Sequence, residues 1–368
     1  MVMRGLRYVV ALAWVCGVGL MGGVSNAAAQ GAARVLAVSE PPAPVLPSDP
    51  PTGLIFSLPH DLSAAAPTFD AAGITDGPVR LEYLRFDAAG NGYLTFHDGS
   101  DAPATGGVLV IDAFATRSGV ARAGGTFDAG RDRLLGGAEA DLAGPRDLAV
   151  ADELGVGVVA DFAEADLKVF DLAFRGSAAP LFVTSNLGLT AAGEPRAPWG
   201  LAFDGEQDRL FVGATDGTVL VYDDYLVDRG EGGPDRVVTP TVDGTKASTN
   251  LHGVSYVADR DILVLADVGA ATTADETGFG GDGKLLMVQG ASTAEGDTEV
   301  AAQLSGPESL LGNPVGVAFD DDDVYVAEKA GNVVLRFDDL LTLTGVTERA
   351  PSGAVTVVAP ESVVLVRD

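Results

Sequence analysis

PWGLAFDGEQDRLFVGATDGTVLVYDD, Pro198 to Asp224, holds three short apolar runs, GLAF, RLFVGA and TVLVYD, split by two turn-like clusters. Runs this short, separated by Gly and Asp punctuation, read as strands joined by hairpins rather than as helices. The chain then writes the same thing again. RDLAVADELGVGVVADFAEADLKVFDL starts at Arg146, HGVSYVADRDILVLADVG at His252 (resuming at KLLMV), and PVGVAFDDDDVYVAEKAGNVVLRFDDL at Pro314. A weaker copy, LEYLRFDAAGNGYLTFHDGSD, starts at Leu81 and resumes at GVLVIDAF. The five copies are roughly 50 to 65 residues apart.

Inside each copy the runs are apolar throughout, with little period-2 alternation, as expected of strands covered on both faces by packed sheets. A looser segment such as DRVVTPTV supplies a fourth strand. A four-stranded antiparallel unit of this length, repeated, is the signature of a propeller blade. The ends hold the remainder: ARVLAV and GLIFSL before the first copy, AVTVVAP and SVVLVRD after the fifth. Two strands from each end would complete a sixth blade and hide the sheet edges an open ring would expose. The expected fold is all-β, a six-bladed propeller of four-stranded antiparallel blades closed by N- and C-terminal strands, with seven blades as the alternative.

The recurring PxG(L/V)AF-D, (L/V)(Y/F)VA-acid and VxxFD pattern, from about Leu81 to Leu340, resembles the NHL-repeat propellers and their gluconolactonase-like and YncE-like six-bladed relatives. The resemblance implies the fold but not one activity, since those families include hydrolases, lyases, sugar dehydrogenases and binding proteins.

Residues 1–29 read as a signal peptide: Arg4 and Arg7 precede an apolar run from Tyr8 to Val24, and SNAAAQ supplies small residues for cleavage near Ala29. The expected destination is secreted or periplasmic. Cys16, the chain's single cysteine, lies inside that run, so the mature chain has no disulfide, thiol nucleophile or thiolate metal site. Residues 30–76 read as an N-terminal strand and a Pro-rich strap, EPPAPVLPSDPP, and 77–368 as the propeller. The 368 residues carry 52 acidic and 23 basic side chains, a net charge of −29, which becomes about −31 without Arg4 and Arg7. Such a surface repels nucleic acid and anionic membranes. It suits either a calcium-dependent surface or adaptation to high salt, and the spread of the acids along the chain favours salt.

In a four-stranded meander the first strand begins where the second ends, so these positions share one mouth of the channel. The entries of the first strands are Arg146 and Asp147, Trp199, His252, and Asn313 before Pro314, of which Asp147, Trp199, His252 and Asn313 are the candidate ligand-binding residues. At the ends of second strands lie His97, Asp161, Thr215, Asp267 and Glu328, of which Asp161, Asp267 and Glu328 are candidate metal ligands. Acids there commonly accept backbone hydrogen bonds instead. The glycine-rich stretch VGAATTADETGFGGDG, Val268 to Gly283, lengthens one turn at this mouth and reads as a lid or binding loop.

The sequence therefore points to a monomeric exported binding module that takes a small polar ligand or a partner protein through one channel face. The alternative is a calcium-dependent lactonase or esterase resembling gluconolactonases, with calcium polarising an ester carbonyl. That family's Glu, Asn and Asp around one metal do not map onto the first-strand entries of this chain.

Overall fold

The computed structural model describes residues 33–40, 53–71, 74, 79–98, 105–117, 125–272 and 278–367. Residues 1–29, read from the sequence as a signal peptide and including Cys16, and most of the Pro-rich stretch lie outside them. Among the described residues no helix is long and apolar enough to cross a membrane.

The chain forms a six-bladed β-propeller. Inner strands run Arg80–Phe86, Pro145–Ala151, Pro198–Asp204, Leu251–Val257, Pro314–Asp320 and Pro360–Arg367, and they define blades 1 to 6. Each successive inner strand packs on the next, and that of blade 6 returns to blade 1. Six apolar clusters fill the six interfaces between blades; Val264, Val326 and Leu335, for example, join blades 4 and 5, and Leu84, Leu36 and Val366 join blades 1 and 6. Burial on both faces of each sheet accounts for the unbroken apolar runs in the sequence.

The closure differs in detail from the expected two strands from each end. The C-terminus supplies one strand, Pro360–Arg367, and the N-terminus three, Ala33–Ser39, Leu54–Pro59 and Ala66–Asp70. The propeller thus begins at Ala33. AVTVVAP instead contributes Gly353–Thr356, the outer strand of blade 5. Short parallel strands cover the outer edges of three blades: Gly125–Thr126 on blade 6, Gly296–Glu299 on blade 3 and Gly345–Thr347 on blade 4. They satisfy backbone groups that an open edge would offer to another chain.

In every blade the pairing of inner and second strands slips at the end where the inner strand begins. A bulge adds a residue without a partner and re-aims its side chain. Counting from the residue paired just before the slip (Leu81, Pro145, Pro198, Leu251, Pro314 and Pro360), the second residue of the six inner strands is Glu82, Arg146, Trp199, His252, Val315 and Glu361. The third is Tyr83, Asp147, Gly200, Gly253, Gly316 and Ser362.

Candidate functional site

The second residues ring one mouth of the axis. Glu82, only 3% exposed, has its Oε1 held by Arg146 Nη1 at 2.5 Å and lies 2.9 Å from His97 Nε2. Burial pushes the Glu82 carboxyl up, but Arg146 first and then His97 outweigh it and carry it down to about 2. Lys329 donates to Glu40 at 2.8 Å and to Glu361, and Arg80 reaches Glu40 at 3.2 Å. The mouth's charges are thus largely paired among themselves.

Beside them stands a stack. Trp199 and His252 lie parallel with ring centroids 3.6 Å apart and planes 6° apart, and the Arg146 guanidinium sits 4.6 Å from the Trp199 ring centre. Arg146 comes from blade 2 and His252 from blade 4, so they approach the blade 3 tryptophan from its two sides. Phe162 adds a T-shaped contact to the indole at 5.1 Å, so Trp199 is packed by three neighbouring side chains. Phe279, from the glycine-rich loop of blade 4, meets His252 edge-on at 6.2 Å and brings that loop to the mouth. Burial, with Arg146 and Lys329 adding to it, pushes His252 well below the ordinary histidine range, so its imidazole is neutral.

The floor is Tyr83. Its hydroxyl donates towards the carbonyls of His252, at 3.1 Å, and Val315, at 2.5 Å, in the blades opposite its own. The side chain therefore crosses the axis, and the expected open channel is interrupted at this level. Glycine at the same level makes this possible. A Cβ at Gly200 would stand 2.2 Å from the His252 carbonyl oxygen, and one at Gly253 2.7 Å from that of Val315, so neighbouring inner strands approach too closely for any side chain.

Among the described residues several buried polar atoms have no partner: Glu82 Oε2, Trp199 Nε1 and His252 Nδ1 on the inner strands, and Asn250 Oδ1 and Asn313 Oδ1 just before two of them. Buried polar groups are nearly always hydrogen-bonded, so such a set calls for water or a ligand.

Of the candidates from sequence, Trp199 and His252 stack at this mouth, and Asn313 lies in the turn just before the inner strand of blade 5, where Val315 is their equivalent. Asp147 does not belong with them. The register makes it the equivalent of Gly200, one step deeper, where it is fully buried and accepts from Arg85 Nη2 at 2.5 Å and from the Leu201 N–H at 2.8 Å. Arg146 takes the rim position instead. Asp161, Asp267 and Glu328 lie in different blades and serve as latches. Each accepts the two N–H groups just before its own inner strand: Ala143 and Gly144, Thr249 and Asn250, Gly312 and Asn313. Asp161 also takes Lys168, Asp267 the Gly269 N–H, and Glu328 the Gly331 N–H. Among the described residues no three His, Cys, Asp or Glu side chains converge as metal ligands. In blade 3 the strand ends at Ala214, and Thr215 falls just beyond it.

Glu82, Glu361 and Lys329 were missed by the sequence reading. Glu361 follows a strand-opening proline, as Trp199 and Arg146 do, so that alignment could have found it. Glu82 has no such proline to mark it.

No family model and no curated protein matches the chain. Its fold is found among solved structures. One chain of the crystal structure of a nidogen/laminin complex is similar with a TM-score of 0.56 and 14% identity, over 90% of this chain and 98% of that one. At that identity the likeness extends to the fold.

Proposed function

We propose that the chain is an exported recognition module whose mouth, above Tyr83, takes a small polar group, carried by a free ligand or presented by a partner protein. One observation carries this reading: Glu82, Trp199 and His252, at equivalent positions of three inner strands beside Tyr83, each keep a buried polar atom with no hydrogen-bond partner among the described residues. A ligand that supplies those hydrogen bonds is rewarded, because each buried group without a partner costs about 1–3 kcal/mol. A propeller chain in a nidogen/laminin complex agrees with such use of the fold. Export rests on the leader-like residues 1–29.

Trp199 supplies the test. The chain has two tryptophans, Trp14 and Trp199, so a protein without residues 1–29 has Trp199 as its sole indole. A recognised ligand, found by titrating amino acids, polyols and extracts of exported proteins, should change Trp199 emission saturably. The change should vanish in Glu82→Gln and His252→Ala. Saturable binding that leaves Trp199 emission and its quenching by acrylamide untouched would place recognition elsewhere. Turnover of lactones or aryl esters that requires calcium and is lost in His252→Ala would make the hydrolase alternative correct.

A further inference from the structure

The opposite face of the ring is built from different chemistry. The sixth residues of the inner strands of blades 1 to 5 are Phe86, Val150, Phe203, Tyr256 and Phe319, and all are only partly buried. They wall a pocket of about 250 Å³ on the axis. Val150, Phe203 and Tyr256 also line an adjoining groove of about 700 Å³, where Leu154 is 65% exposed. Among the described residues lining the axial pocket, Arg85 is the one charged side chain.

Arg85 is held but not saturated. Its Nη2 donates to Asp147 Oδ2 at 2.5 Å and towards the Leu201 carbonyl at 3.5 Å, and its guanidinium lies 5.3 Å from the Tyr83 ring centre. Among the described residues Nε and Nη1 have no acceptor. Nη1 keeps two N–H donors, enough to hold one oxygen of a carboxylate in a charge-assisted hydrogen bond. Tying one nitrogen to Asp147 fixes the fork in place, so little conformational entropy is lost when a second acceptor docks.

We infer that this second face binds an organic monoanion: a carboxylate on a flat apolar body, with one carboxylate oxygen on Arg85 Nη1 and the body against Phe203, Tyr256 and Leu154. Asp152, Glu153, Asp204, Glu206 and Asp259 line the groove and repel such a ligand at long range. Salt screens that repulsion over about 10 Å at 0.1 M, while the close contact inside the pocket is screened less. Binding should therefore tighten as salt rises, opposite to an anion held at an exposed basic patch.

The test is a fluorescence titration of the full chain with 2-naphthoate and, separately, methyl 2-naphthoate, which keeps the carbonyl and the ring system but not the charge. Expected is saturable one-to-one binding of the acid, at least about tenfold tighter than the ester and tighter in ~1 M than in ~0.1 M KCl. Arg85→Met should bring the acid to the level of the ester. Because that change strips buried Asp147 of its partner and threatens folding, Leu154→Asp provides a second arm, weakening the acid several-fold from an exposed position. Binding of the acid should also shift the Arg85 Nε–H resonance. Equal binding of acid and ester, no saturable binding at either salt, or an unmoved Arg85 resonance would each overturn the proposal.

Discussion

The two faces of the ring are separated by Tyr83 and solve opposite problems. On the mouth face, bulges turn Glu82, Arg146, Trp199 and His252 inward, where ions pair, rings stack and several polar atoms are left without partners. On the other face the strands pair regularly, their sixth residues are apolar, and one guanidinium is tied to Asp147. The same β-strand yields a polar cluster at one end and an apolar pocket at the other because the bulge breaks the period of two at only one end. Local irregularity, more than fold, decides what each face can bind.

The largest effect should come from removing the partition. Tyr83→Ala deletes a fully buried ring and leaves the His252 and Val315 carbonyls without their donor, at a cost of about 3–5 kcal/mol in urea unfolding. Tyr83→Phe keeps the ring and should cost about 1–3 kcal/mol. If the two variants were equally stable, Tyr83 would not be the closure that separates the faces.

Next come two buried carboxylates, Glu82 at the mouth and Asp147 at the level of Tyr83. Glu82 is held down to about 2, below its ordinary 4.5, so its contribution, ~3 kcal/mol, is present above pH 4.5 and lost as pH falls towards 2. Asp147 is shifted the other way: burial pushes it up, against Arg85, so stability declines as pH rises from 3.8 through its folded value. Glu82→Gln should flatten the acid limb of the stability curve, whereas Asp147→Asn should remove the opposite slope. Identical pH profiles for the two variants would break the contrast.

The architecture was legible in the sequence because each blade repeats the same turn chemistry and buried runs. The three-to-one closure was not, since AVTVVAP and SVVLVRD are equally strand-like and only pairing separates an outer strand from an inner one. At the site, Trp199 and His252 were visible because each stands at the start of its copy of the repeat. Asp147 was chosen although the strand-opening Pro145 makes Arg146 the equivalent of Trp199, and Glu82 was overlooked because RLEYLRF has no such proline to set the count. Tyr83 crossing the axis was likewise hidden, because its role depends on glycines in three other blades.

The latch acids form the next comparison. Asp267→Asn and Glu328→Gln should each cost about 1–3 kcal/mol, since an amide cannot accept as many N–H groups as the carboxylate does. Calcium should leave the unfolding midpoints of the parent and both variants where they are. A rise with calcium that these substitutions abolish would return the acids to the metal role that their sequence positions first suggested.

The smallest effect concerns His252, and it has a definite sign. Burial together with Arg146 and Lys329 keeps the folded imidazole neutral well below pH 6.5, whereas the unfolded chain protonates it near 6.5. Folding therefore excludes a proton, and stability falls as pH drops below 6.5, by about 1.4 kcal/mol one unit lower. His252→Phe keeps a flat ring against Trp199 and has nothing to protonate. At pH 7.5 the variant and parent should agree within ~1 kcal/mol, because the imidazole Nδ1 has no protein partner to lose. At pH 5.5 the variant should be the more stable by about 1.4 kcal/mol. A variant that is less stable at both pH values would mean that the Nδ1 atom is satisfied within the fold, and the mouth would then lose one of the atoms that mark it as a site.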